Sequence, residues 1–190
     1  MTTPLESINP SSSDEFLVAS FKAGIKRDFV FECIVKKYQK RLYWHIRKIV
    51  INHDDTDDVL QNTFIKSWKG LDNFKGESQL FTWLYTIATN ESIGFLKKKQ
   101  KENTQSIHPI ESKLSKSLES DSLFNGDAIQ LKLQQAILTL PEKQRIVFNM
   151  RYYDEIPYEK MSEILGTSVG ALKASYHHAA KKIEEFVKTQ

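Results

Sequence analysis

The sequence predicts an all-α protein of two small helical domains joined by a flexible linker. Apolar residues recur every three or four positions along most of the chain, which is the spacing of one helix face. Alternating strand-like runs are almost absent, and there are seven glycines in 190 residues. Between the two periodic stretches, residues 102–127 are rich in Ser, Asn, Lys and Glu and carry no sustained apolar stripe. The expected layout is a tail over 1–18, a first domain over 19–101, a linker over 102–127 and a second domain over 128–190.

The first domain reads as three long helices. Ile34, Tyr38, Leu42, Ile46 and Ile49 draw one stripe along 29–50. Leu60, Phe64, Trp68 and Leu71 do the same from Thr56 until Asp72, Asn73 and Gly76 break the pattern. Leu80, Trp83, Leu84, Ile87, Ala88 and Leu96 mark a third helix over 79–101, whose lysine-rich end suits the helix dipole. A short extra helix is expected over 16–24. Beyond the linker, four shorter helices fit 128–140, 142–153, 158–165 and 168–188, with Pro141 and Pro157 at starts where a missing N–H costs little.

Composition narrows the function. Lys and Arg exceed Asp and Glu by three, so no global positive field dictates a nucleic-acid partner and local charge must decide. One cysteine, Cys33, excludes an internal disulfide framework and fits a reducing compartment. The N-terminal stretch has neither the basic start nor the apolar core of a signal peptide, and no apolar run approaches the roughly 20 residues of a spanning helix. A cytoplasmic protein without membrane insertion is expected.

Three stretches carry candidate chemistry. In 158–188, a short helix, a turn at Gly166 and Thr167, and a second helix capped by Ser168 form a helix-turn-helix pattern, pinned by Met161, Ile164, Leu165, Val169 and Leu172. The outward positions of its second helix are Gly170, Ala171, Lys173, Ala174, Ser175, His177, His178 and Lys181. Small side chains there admit a deep approach to a major groove, and lysines or histidines reach phosphates and base edges. The alternative is a helical hairpin with a solvated basic face. His177 and His178, about 100° apart on a helix, are not paired metal ligands.

In 74–101, Phe74, Phe81, Trp83, Tyr85 and Phe95 accompany Asn90, Ser92 and a lysine cluster. Rings with lysines suit single-stranded nucleic acid, although most of these aromatics fall at core spacing. Phe81 and Trp83 are expected at least partly in the core.

Finally, Asp54, Asp55, Asp57 and Asp58 place four carboxylates in five positions. A diphosphate-bound magnesium site needs a second acidic motif on a facing helix, and none is found; an EF-hand needs a central glycine and a terminal glutamate. As helix-starting residues, Asp54 or Asp55 would cap and Asp57 and Asp58 would sit in the first turn. A basic partner surface would use the excess charge.

Together these stretches resemble the extracytoplasmic-function (ECF) sigma factors of bacterial RNA polymerase. DDTDDVLQNTFIKSWKGLDNFKGESQLFTWLYTIATNESIGFLKKKQK is similar to sigma region 2, and LPEKQRIVFNMRYYDEIPYEKMSEILGTSVGALKASYHHAAKKI to region 4. The resemblance implies core-polymerase binding through Asp54, Asp57, Asp58, Leu60, Gln61 and Phe64. It implies capture of the melted minus-ten element, with a flipped base, through Asn73, Phe74, Lys75, Trp83, Thr86, Asn90, Lys97, Lys98 and Lys99. Duplex reading of the minus-thirty-five element falls to Ser168, Gly170, Ala171, Lys173, Ala174, Ser175, His177, His178 and Lys181. Relatives often carry arginines where this chain has Ser175, His178 and Ala180, so weak isolated duplex binding is expected. The implied partners are core RNA polymerase, promoter DNA and an anti-sigma factor, with no catalysis, cofactor, metal, small-molecule substrate or need for homo-oligomerisation. A stand-alone repressor is the rival, but it would normally need a dimerisation element, and none is evident.

Overall fold

The computed structural model describes residues 8–103 and 128–189, so the expected linker lies outside the described residues from 104 onward. Among the described residues there are helices and turns and no strand. The first half contains α1 (Asp14–Lys22), α2 (Arg27–Val50), α3 (His53–Gly70), a 3-10 turn (Leu71–Asn73) and α4 (Leu80–Asn103). The second contains α5 (Ala128–Leu138), α6 (Glu142–Tyr152), α7 (Tyr158–Leu165) and α8 (Val169–Thr189).

The apolar stripes are where their periodicity requires. Ile34, Leu42 and Ile46 of α2, and Leu84 and Ala88 of α4, have no exposed surface. The three long helices pack on one another closely because small hydroxyl residues lie between them. Thr56, Thr63 and Ser67 are fully buried, and each returns its hydroxyl to a carbonyl four residues back, at 2.6, 2.7 and 2.7 Å. Burial then leaves none of these three hydroxyls unpaired.

Two termini differ from expectation. The short N-terminal helix begins at Asp14, capped by Ser13, whose hydroxyl accepts from Phe16 N at 3.2 Å. The segment before it is tied down, with Ile8 in the core and the Ser12 carbonyl accepting from Lys37 Nζ at 2.8 Å, while Asp14 at the helix start accepts from Tyr38 and Lys37. On α3 the cap is Asn52, which accepts from Asp55 N at 2.9 Å. Neither Asp54 nor Asp55 caps the helix, and Asp57 and Asp58 fall beyond its first turn. A more proximal Asn competes equally well for the same orphan N–H groups.

The two halves meet directly. One continuous core runs from Ile34 and Leu84 in the first half to Ile146, Met150, Met161 and Leu172 in the second. Here α6 lies on α2, and α7 lies on α4. Asp154, in the turn after α6, closes the joint with polar contacts. Its carboxylate accepts from Lys48 Nζ at 2.5 Å, Tyr85 OH at 2.5 Å and His45 Nδ1 at 3.2 Å. Asn149 adds a bond from Nδ2 to the Lys48 carbonyl at 3.1 Å.

Burial lowers the His45 pKa against the attraction of Asp154, so it meets the carboxylate as a neutral ring, with the tautomer assigned from its acceptor. Burial opposes ionisation of Asp154 as well, but the bonds from His45, Lys48 and Tyr85 outweigh it and hold the carboxyl at about 2.

Candidate polymerase and promoter interfaces

The acidic cluster divides between an inner and an outer role. Asp55 pairs with Lys99 of α4, and Asp57 lies 3.1 Å from His53 Nδ1 on its own helix. Asp54, Asp58 and Gln61 are exposed and recur at helical spacing on one side of α3. Ile65 continues this stripe at 45% exposure, an apolar position that periodicity had no reason to single out. Leu60 and Phe64 are half-buried against the core, Phe64 edge-on to Phe31 at 6.3 Å, so they seat the helix. No group of three or more metal-ligating side chains is gathered among the described residues.

The turn between α3 and α4 is built around Phe74 and Trp83. Phe74 is buried, its ring 5.2 Å from that of Trp83, and its carbonyl accepts from Lys22 Nζ at 2.5 Å. Trp83 is half-buried, and a Cβ added at Gly70 would lie 3.1 Å from the Trp83 ring. Gly76 takes φ +76°, which lets the loop double back. Asn73 and Lys75 stay exposed on that loop.

From the loop, Trp83, Thr86, Asn90 and Lys97 continue along one face of α4 at three-, four- and seven-residue spacing. Asn90, Lys97 and Lys98 are exposed, whereas Lys99 is turned away toward Asp55 and the Phe95 ring.

Beneath the loop lies a cavity of about 550 Å³ lined by Tyr38, Arg41, Lys75, Ser78, Gln79 and Phe81, among others. The Arg41 guanidinium stacks 3.8 Å above the Phe81 ring, and Tyr38 packs beside it at 5.7 Å. Burial, together with its bond to Asp14, pushes the Tyr38 pKa well up and keeps the phenol neutral. Phe81 and Trp83 are thus partly in the core, as their spacing suggested. Tyr38 and Arg41 were missed because they belong to α2, distant in sequence from the loop they face.

In the second half, Gly166 takes φ +60° between α7 and α8, and Ala171 N lies 3.4 Å from Ser168 Oγ at the start of α8. Gly170, Ala174, His177 and Lys181 recur along one face of α8 and are all exposed. Lys173 and His178 flank them, also exposed. Ala171 and Ser175 point to a different side, where they line an apolar cavity of about 360 Å³ with Ile93 and Lys97 of α4.

Known proteins resemble this sequence and architecture. The family model for Sigma-70 region 2 matches residues 34–102, and that for Sigma-70 region 4 matches residues 130–183. The RNA polymerase sigma-H factor of Pseudomonas aeruginosa is 29% identical over 180 residues, 90% of this chain and 92% of that protein. The ECF RNA polymerase sigma-E factor of Escherichia coli is 27% identical over 183 residues, 92% of this chain and 94% of that one. Among solved structures, CnrH in complex with the cytosolic domain of CnrY superposes with a TM-score of 0.67 at 20% identity, covering 94% of this chain and 99% of that one. The sigma factor RpoE of Bartonella quintana, solved with the anti-sigma factor NepR, gives 0.66 at 23% identity, covering 83% and 96%. With both regions present in order and relatives matched over nearly their whole length, the chain belongs to the ECF sigma factors, which bind core RNA polymerase and direct it to promoters.

Proposed function

We propose that α3 docks the polymerase, that the 73–79 loop and the outer face of α4 hold the melted minus-ten strand, and that α8 reads the minus-thirty-five duplex. The carrying observation is that the loop over the 550 Å³ cavity bears exposed Asn73 and Lys75 and runs directly into α4, whose outer face carries exposed Asn90 and Lys97. An unstacked base needs a pocket with a polar rim and a ring or guanidinium to lie against, and the strand leading from it needs cations. Arg41 stacked on Phe81 supplies such a surface. Phe74 supports the loop from below; in the cavity it is exposed Arg41 and half-buried Phe81 that are open to a base.

On α3, Asp54, Asp58, Gln61 and Ile65 would meet a basic, partly apolar polymerase surface. Charge steers such an encounter, and the apolar residue contributes area. A protein partner that covers this stripe would keep the factor from the polymerase, which is the role proposed for an anti-sigma factor here. Nucleotide chemistry belongs to the polymerase, and the proposal invokes no cofactor, metal, membrane insertion or homo-oligomer.

The test is reconstitution. Purified protein added to core RNA polymerase on fragmented genomic DNA should start transcripts at a small set of sites that share two upstream elements. Scattered starts, identical to those of core enzyme alone, would remove the proposal. A repressor would instead bind DNA without polymerase and fail to co-purify with it.

A further inference from the structure

Ala171 and Ser175 turn away from the Gly170 to Lys181 face of α8 and, with α4 and α6, enclose a cavity of about 360 Å³. Its wall is apolar: Ile146, Val147 and Leu172 are buried in the core, and Ile93 and Leu165 pack against that core half-buried. A gap lined by such side chains forfeits the dispersion contacts that a filled core would make. A ligand with an apolar body restores them, and the volume lies within the range of small-molecule pockets. At about 30 Å³ per non-hydrogen atom, the share of one molecule in liquid water, the cavity holds about twelve such atoms. This is the size of a medium-chain fatty acid.

The polar part of the lining decides the charge of the ligand. Lys97 and Lys143 are exposed, and neither has an ion pair or a side-chain hydrogen bond among the described residues. The Ser175 hydroxyl has no partner among them either. Glu142 lines the same cavity, so two cations face one carboxylate and one positive charge is in excess. A monoanion balances that excess, whereas a phosphate dianion reverses it. We propose that this cavity binds a free, single-chain amphipathic carboxylate, and that the bound molecule represses transcription. The tail lies on Ile93, Ile146 and Leu172, and the head group meets Lys97, Lys143 and Ser175. Binding is a property of the chain alone. Its consequence rests on the reading of Lys97 as a minus-ten cation, which the head group engages in place of DNA.

The experiment is calorimetric titration of the full chain with decanoate. One saturable site with a Kd below about 0.1 mM is expected. Hexanoate, four methylenes shorter, should bind about a hundredfold more weakly, and decylammonium should give no saturable heat. Lys143→Gln, at an exposed position, should keep its helical circular dichroism and bind decanoate at least fivefold more weakly. Ile93→Phe fills the cavity and should abolish binding; should it fail to fold, Lys143→Gln and the two other amphiphiles still decide the matter. In reconstituted transcription, decanoate should lower promoter opening several-fold for the native chain, and the ratio with and without ligand should approach one for Lys143→Gln. The site is overturned if decanoate gives no saturable heat up to about 1 mM, if decylammonium binds as well, or if the folded variants bind like the native chain. Sedimentation of the free chain as a dimer that Ile93→Phe dissociates would give the cavity to a second copy and overturn it too. Saturable binding with unchanged promoter opening would overturn the repression. A native chain that starts no transcripts in the absence of ligand would instead overturn the polymerase reading beneath it.

Discussion

Lys99 of α4 pairs with Asp55 of α3, and this pairing separates one carboxylate of the acidic cluster from the rest. Asp55 joins two helices of the bundle, while Asp58 makes no ion pair to α4 and stays exposed on the stripe with Gln61 and Ile65. The two positions therefore have opposite expected phenotypes. Asp57→Lys with Asp58→Lys should leave the melting temperature within about 2 °C, since exposed substitutions cost little, and lower core-polymerase affinity at least tenfold. Asp55→Ala should lower the melting temperature by a few degrees, because a partly exposed ion pair contributes up to about 1 kcal/mol, and leave polymerase affinity unchanged. Thermal melts and co-sedimentation with core enzyme check both, and equal loss of binding in the two variants would contradict the division.

The joint should be acid-sensitive. His45 is held neutral below its usual 6.5 by burial, so any opened or unfolded state takes up a proton there first as pH falls below 6.5. Stability is then full above about pH 7 and declines through 6.5, by at most about 1.4 kcal/mol per pH unit for one group. Asp154 acts in a lower window. Its pKa falls from 3.8 to about 2, so its contribution is present above 3.8 and is lost as pH falls toward 2. The other groups facing this pair are Lys48, Tyr85 and Thr89, and Tyr85 has its pKa raised well above 10 by burial and Asp154, so it stays neutral throughout. Melting curves between pH 5 and 8 should slope for the native chain and flatten for His45→Gln; equal slopes would dismiss His45 as the source.

Most helices were legible, and the candidate surfaces on α3, α4 and α8 could be proposed from sequence, because the residues concerned lie close together in it. The stripe of α2, the break at Asp72 to Gly76 and the turn at Gly166 are each decided by local periodicity or backbone conformation. What was not legible depends on pairs distant in sequence, or on local competition among several good caps. Asn52 took the cap expected of the aspartates. Tyr38 and Arg41 joined the loop cavity from α2, and Asp154 found His45 and Tyr85 in the other half. A lone aspartate in the segment YYDEIP carries no periodic or motif signal, so only packing could reveal its partners.

Trp83 and Asn90 share a face of α4 but differ in burial, and this separates structural from DNA-binding effects. Trp83→Ala removes a half-buried ring packed on Phe74, and about 2 kcal/mol of stability should go with it, or roughly 6 °C in melting temperature. Asn90→Ala removes an exposed amide, so the melting temperature should hold within about 2 °C. Promoter opening by the reconstituted holoenzyme, followed by permanganate reactivity of unpaired thymines, should nonetheless fall several-fold. Unchanged opening would take Asn90 out of the minus-ten surface.

On α8 the residues facing outward at Gly170, Ala174, His177 and Lys181 leave the helix with few fixed charges for phosphate contact. Each new cation that meets a phosphate should release about one counterion, adding about 0.9 to the slope of log affinity against log salt. Ala174 is exposed and its methyl group makes no polar contact, so Ala174→Arg adds a charge without removing a bond. The variant should bind a promoter duplex more tightly than the native chain at low salt, with the slope steeper by about one. If affinity rises with no change in salt slope, the introduced guanidinium is reading a base edge; if neither changes, α8 does not present this face to DNA.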